Sequence, residues 1–203
     1  MIGLVNYGLG NIKALKNIYK KLNVSCKFIN NPIDIEKVEK IILPGVGSFD
    51  NAIEKLKQSN LLEVINYKVK IEKMPVLGIC VGMQMMANKS EEGVLDGLGW
   101  IPGKVKKFKQ SSFSTKPFTP HMGWNNVEKL NNYIIFNGIE HPKFYFLHSY
   151  YLEPEDSSII TSTTNYGFDF CSSINHENIY ATQFHPEKSH NFGVKMLENF
   201  SKL

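Results

Sequence analysis

The chain has 203 residues, of which 42% are hydrophobic and 21% charged, with a formal net charge of +4. That length supports one α/β domain over residues 1–203, and the composition is that of an ordinary globule. No apolar run nears the ~20 residues that span a bilayer, and the opening "MIGLVNYGLGN" lacks a basic leader, so neither membrane nor signal peptide is expected. Cys26, Cys80 and Cys171 are odd in number and form no C-x-x-C pair, which points to a reducing cytoplasm and argues against disulfides and a cysteine metal site.

In chain order, "MIGLVNY" reads as a short apolar strand ending at a glycine turn. "NIKALKNIYKKL" follows as a helix with Ile12, Leu15, Tyr19 and Leu22 on one face. The "GLGNIK" between them resembles a dinucleotide loop, but the third glycine would fall at Lys13, and the P-loop spacing does not fit either. No cofactor is therefore expected. "SCKFI" and "KIILP" are the next strands, and "SFDNAIEKLKQ" starts a helix with Ser48 at its N-cap. A further helix covers about 61 to 72, and "PVLGIC" is a buried strand running into another helix. This alternation predicts an α/β fold: a mostly parallel central sheet with helices on both faces. Past Gly99 the strands crowd together: "KFYFLHSYYL", "SSIITSTT", "FDFCSSI" and "NIYATQF" read as antiparallel additions to the same sheet, and "HNFGVKMLENFSKL" as a closing helix. The lysine run "GKVKKFKQ" alternates like an exposed strand. With no nucleic-acid motif beside it, it reads as a solvated edge rather than an anion-binding patch.

Gly78-Ile79-Cys80-Val81-Gly82 has the form of a nucleophile elbow, a sharp strand-to-helix turn that exposes its central side chain. Cys80 would stand at a helix N-terminus, where the dipole favours an anion, at the carboxyl end of a strand, where α/β folds gather ligands. Taken alone, a cysteine between glycines is as readily a structural thiol. A thiolate needs a base, and "ATQFHPEKS" places His185 and Glu187 two residues apart around Pro186. In extended chain both side chains project the same way, so Glu187 could orient His185 toward Cys80. "LPGVGSF" ends a strand with two glycines before a helix. It could supply a backbone N–H to an oxyanion, with the N–H of Val81 as a second donor. Met83, Met85 and Met86 read as core packing, and His148 as a strand histidine outside the catalytic set.

Together these pieces resemble the class I (triad) glutamine amidotransferases, and within them the glutaminase subunits of imidazole glycerol phosphate synthases. "NYGLGN", "LPGVGSF", "GICVGMQ", "SEEG", "PHMGWN", "FLHSYY" and "QFHPEKS" carry the likeness nearly end to end. The resemblance implies Cys80 as nucleophile, His185 as proton carrier and Glu187 as its orienter. It implies Gly47 and Val81 as oxyanion donors, with Gln84, Glu92, Ser149 and Tyr150 holding glutamine. It further implies a heterodimer with a (β/α)8-barrel synthase that receives the ammonia, faced by Asn11, Trp124 and Lys188. Asn6, Val81, Phe118 and the "FDFCSSINHEN" stretch depart from the usual pattern, none of them within the triad. A related glutaminase serving cell-surface sugar amination shares the chemistry and is the alternative. A silent binding module would be expected to lack part of the triad, and elbow-cysteine hydrolases often carry histidine where Val81 stands.

Overall fold

The computed structural model describes residues 1–108, 119–130 and 133–203, so Phe118 and the end of the lysine run lie outside the described residues. Strand β1 (Ile2–Val5) is buried along its whole length, as a strand covered on both faces must be. Helix α1 (Ile12–Lys21) turns Leu15 and Tyr19 inward and leads to β2 (Cys26–Ile29). The chain then crosses back to β3 (Lys40–Gly45), and α2 (Phe49–Gln58) and α3 (Leu62–Lys70) carry it to β4 (Val76–Cys80). Cys80 passes directly into the short α4 (Val81–Met85).

After the two-residue β5 (Lys89–Ser90) come β6 (Gly103–Lys107), β7 (His121–Asn126) and β8 (Glu128–Lys129). Strands β9 (Lys143–His148), β10 (Tyr150–Pro154), β11 (Ile160–Asn165), β12 (Asp169–His176) and β13 (Ile179–Thr182) follow, and α5 (His190–Ser201) closes the fold.

Among the described residues the central sheet runs β2-β1-β3-β4-β13-β12-β11-β8. Its first five strands are parallel, and β12, β11 and β8 are antiparallel additions. Strand order reverses direction at β1 and β3, so right-handed crossovers place α1 and the α2–α3 pair on opposite faces. The α/β class is as the alternation predicts.

Three expectations change. "NIYATQF" is not an antiparallel addition: its strand β13 runs parallel to β4 and extends the parallel part of the sheet, with β12 the first antiparallel neighbour. "KFYFLHSYYL" does not join the central sheet. It breaks at Ser149 into β9, which pairs with β7, and β10, which pairs with β6. The lysine strand β6 is not an edge, since β10 and β5 flank it on either side. Its alternation buries Val105 and sends Lys104 and Lys106 outward to Glu91 and Glu153. Ser48 does occupy the N-cap of α2, but its side chain makes no capping bond. The Glu92 carboxylate instead accepts from the Phe49 N–H at 2.8 Å.

The placement of Cys80 rests on a backbone-to-backbone approach between β3 and α4. A Cβ on Gly82 would lie 2.0 Å from the Leu43 carbonyl oxygen, and one on Gly45 would lie 2.3 Å from the Gly82 nitrogen. Gly82→Ala should therefore lower the urea midpoint, by about 1–3 kcal/mol of overpacking, with an unchanged m-value. An unaltered midpoint would show that α4 can move off β3 freely.

Candidate active site

Cys80 adopts φ 54° and ψ −112°, a region that side-chain-bearing residues seldom enter and one common at strained functional turns. The turn is the elbow read from the sequence. Tyr7, from "NYGLGN", braces it from below: its buried hydroxyl donates to the Pro44 carbonyl at 2.6 Å and approaches the Met85 sulfur at 3.7 Å. Val81 begins α4, and the first N–H groups of a helix have no intrahelical partner.

Strand β13 lies beside β4 in the sheet, so the segment that follows it reaches the same edge. The His185 N–H donates to the Tyr145 carbonyl at 2.9 Å, and the Ser189 hydroxyl donates to the His185 carbonyl at 2.6 Å while accepting from the Tyr145 N–H. Held there, His185 places Nδ1 2.9 Å from Glu187 Oε1, with both side chains almost wholly buried. Cys80 also favours the charged ring, and its Sγ lies 3.8 Å from the Leu147 carbonyl oxygen. Burial works against the imidazolium, but hydrogen bonds and charge attraction from Cys80 and Glu187 outweigh it and push the His185 pKa up to about 10. The contribution of His185 to stability is thus fully present below the ordinary histidine pKa of ~6.5 and lost as pH rises through about 10.

A cavity of about 260 Å³ opens over Cys80 and His185. It falls just under the ~300–1,000 Å³ of drug-sized pockets and suits an amino acid. Gly47 and Val81 form one wall, and Gln84, Glu92, Ser149 and Tyr150 the others. Gly47 has φ 88°, a conformation that favours glycine. Burial raises the Glu92 pKa, opposed by its bond from the Phe49 N–H. Glu187 stands behind His185, and its Oε2 is buried without a hydrogen-bond partner.

Of the three residues expected at a partner face, Lys188 is exposed at the cavity mouth with its ammonium 5.5 Å from the Tyr145 ring. Trp124 is 40% exposed and stacks on His190. Asn11 is exposed at the N-cap of α1, next to the carboxyl end of β1.

Two residues outside the expected set belong to the site. Gln183 is fully buried. It donates from Nε2 toward Cys80 Sγ at 3.7 Å and accepts at Oε1 from Gln84 Nε2 at 3.0 Å. It stands in "QFHPEKS", where its even spacing from His185 and Glu187 was the available signal. His148 lines the cavity, although a strand histidine offers no such signal in sequence. A thiol at a strained turn, an oriented imidazole and a pocket over both can together carry out acyl transfer through a covalent thioester.

A family model described as "Glutamine amidotransferase class-I" matches residues 3–203. The chain belongs to the class I glutamine amidotransferase family. It is 46% identical over 204 residues to "Imidazole glycerol phosphate synthase subunit HisH" of Bdellovibrio bacteriovorus, all of both chains being covered. It is 48% identical to "Imidazole glycerol phosphate synthase subunit HisH 2" of Methanococcus maripaludis, covering all of this chain and 99% of the relative. A solved structure of a putative GMP synthase component from Thermoplasma acidophilum shares the fold, with a TM-score of 0.74 at 21% identity over 99% of this chain and 92% of the other. As a member of this amidotransferase family, the chain is an enzyme that hydrolyses glutamine.

The His185 geometry is testable without turnover. Cys80→Ala removes one of the two partners that favour the imidazolium, so the His185 pKa measured by NMR titration should fall. Glu187→Gln should lower it as well. An unmoved titration in both variants would mean that the ring is not paired as described.

Proposed function

We propose that this chain is the glutaminase subunit of an imidazole glycerol phosphate synthase. In this reading it acts in the cytoplasm, as a heterodimer with a (β/α)8-barrel subunit that uses the ammonia to make imidazole glycerol phosphate and AICAR for histidine biosynthesis. The observation that carries the chemistry is the Cys80–His185–Glu187 arrangement. The full-length likeness to relatives bearing that subunit's name supports the pathway. Among the described residues, no helix is long and apolar enough to cross a membrane.

The Cys80 thiolate attacks the side-chain amide carbon of glutamine, and the resulting oxyanion is met by backbone N–H groups at Gly47 and Val81. His185, protonated by taking the Cys80 proton, passes that proton to the departing nitrogen, and ammonia leaves. Water then gives a proton to His185 and attacks the thioester, and the tetrahedral intermediate collapses to glutamate and free Cys80. Glu187 keeps Nε2 of His185 directed at the reacting atoms throughout and offsets its charge. No cofactor is needed.

The barrel docks over the cavity mouth. Met122, Trp124, Leu147 and Val46 are exposed apolar side chains on this side, with Met122 opposite Leu147 and Trp124 opposite Tyr145 across β7 and β9. Trp124, Lys188 and Asn11 contact the barrel. Docking also fixes the 45–47 loop with its N–H turned inward. An oxyanion donor turned away costs ~3–4 kcal/mol, or on the order of 10²–10³ in rate.

Two measurements test this. A diazoketone analogue of glutamine should label Cys80 and spare Cys171, which is buried and whose pKa burial pushes up, and Cys26, which burial also raises. His185→Ala should cost about 10²–10⁴ in turnover. Labelling at Cys171, or near-normal turnover by His185→Ala, would overturn the triad. The second measurement is turnover with and without the barrel. Full activity in the isolated chain would overturn activation by docking. Activation only by a barrel from a surface-sugar pathway would move the chain to that pathway.

A further inference from the structure

Strands β7 and β9 pair so that His121 faces His148, and both rings are buried. We infer that Asn125, His121 and His148 form a one-way hydrogen-bond relay that positions the Tyr150 carbonyl, and through it Gln84, in the glutamine site. The inference deepens the glutaminase reading and rests on it for the identity of the substrate.

The direction of the relay follows from its ends. A carbonyl only accepts, so His148 Nδ1, 2.7 Å from the Tyr150 oxygen, carries the proton. Neutral His148 then has a bare Nε2, and His121 Nδ1, 3.0 Å away, must donate to it. That leaves His121 Nε2 bare, 3.2 Å from Asn125 Nδ2. The Asn125 amide cannot turn round without loss. Its Nδ2 also donates to the Asn165 carbonyl at 2.9 Å, and its Oδ1 accepts from the Asn126 N–H at 2.8 Å.

Neutrality is enforced by the surroundings. The two rings pack among Phe108, Phe146, Tyr166 and Phe170. Burial pushes His148 down to about 3, helped by the charges of His121 and His185, and His121 down to about 4. A second proton on either ring would set N–H against N–H. Among titratable groups, Cys80, Glu92, Tyr150, His185 and Lys188 line the same cavity as His148.

The relay ends on a shared atom. The Tyr150 oxygen also accepts from Gln84 Nε2 at 2.9 Å, and the second Nε2 hydrogen of Gln84 goes to Gln183. Both amide hydrogens are committed, so Gln84 presents Oε1 to the cavity as an acceptor. His148 and Gln84 therefore hold one carbonyl from two sides, and the 148–150 turn between β9 and β10 is fixed. His121 and His148 are positioning residues, since they act through Tyr150 and Gln84.

The test is made on the complex of this chain with its barrel partner, with KM and kcat for glutamine read separately. His148→Phe keeps an aromatic ring in an aromatic cluster and removes only the hydrogen bonds. KM should rise by up to about tenfold, the value of one hydrogen bond at ~1.4 kcal/mol, with kcat little changed. His148→Asn can place Nδ2 where Nδ1 stood and should restore most of that loss. Should His148→Phe fail to fold, His121→Phe, which strips the donor from His148 Nε2, replaces it and should also raise KM. An unchanged KM in the phenylalanine variants, or a loss confined to kcat, overturns the relay. Nitrogen-15 NMR of the isolated wild-type chain decides independently of turnover. Both rings should be neutral with the proton on Nδ1 at neutral pH, and an Nε2–H tautomer or a cation at either ring refutes the inference. If the wild-type complex does not hydrolyse glutamine, the glutaminase reading fails, while the NMR result still judges the relay.

Discussion

Everything at the site depends on how closely α4 lies against β3. The Gly82 position leaves no room for a side chain against the Leu43 carbonyl, and Gly45 leaves none against Gly82. This contact is what forces the chain to turn at Cys80 rather than a residue later, and the turn is sharp enough to drive Cys80 to φ 54°. Such a conformation costs on the order of 1–3 kcal/mol and persists only where the surroundings over-determine it. They do so here. Ile79 precedes the turn and Met83, Met85 and Met86 follow it, all of them buried, so relaxing Cys80 would expose apolar surface worth more than the strain. The hydrophobic anchoring of the elbow helix thus holds the thiol in place.

Three histidines crowd one pocket region with opposite electrostatics. His185 is pushed toward the cation by Cys80 and Glu187 despite burial, whereas His148 and His121 are held neutral by burial. The difference lies in the partners. A carboxylate and a thiol reward a charged ring, whereas a carbonyl and another imidazole do not. Because His148 stays uncharged, it does not compete with His185 as a cation beside Cys80. The second Glu187 oxygen, buried without a partner, fits the same scheme: an incompletely satisfied carboxylate gains more from the neighbouring imidazolium than one already saturated by donors.

Much of this was legible in the sequence because it rests on local rules. The β-strand and helix alternation gave the α/β class, and the flanking glycines marked the turn at Cys80. "HPE" marked the right pair for the wrong local reason: His185 and Glu187 meet across a 3₁₀ turn over Pro186–Lys188, not along extended chain. What escaped was long-range. Nothing in "KFYFLHSYYL" says that it divides at Ser149, because both halves are apolar strands and only their pairing partners differ. The same blindness hid His148, whose role depends on lying opposite His121, 27 residues away in sequence. The lysine strand misled for a related reason. Alternation reports which face is wet, but not whether the edges are paired, and β6 is paired on both. Ser48 was placed correctly at the N-cap, but the capping bond is long-range: the Glu92 carboxylate, 43 residues from Phe49, accepts from the Phe49 N–H.

The fixed amides bear on how the proposed site would select its substrate. With both hydrogens of Gln84 Nε2 engaged, this side chain offers only an oxygen to the cavity, and the Glu92 carboxylate on the wall offers more. Two acceptors lining one cavity favour a cation, which matches the α-ammonium of an amino acid. Glutamine and glutamate carry that group equally, so the head of the substrate cannot distinguish them. Discrimination must come at the far end, where the amide meets Cys80 and His185. There a carboxylate would bring a full negative charge against the thiolate, whereas the neutral amide brings none until attack has begun. The same charge expels glutamate once the thioester is hydrolysed. A site built in this way binds the common zwitterion through rigid acceptors and leaves the choice of substrate to the electrostatics of the reacting centre.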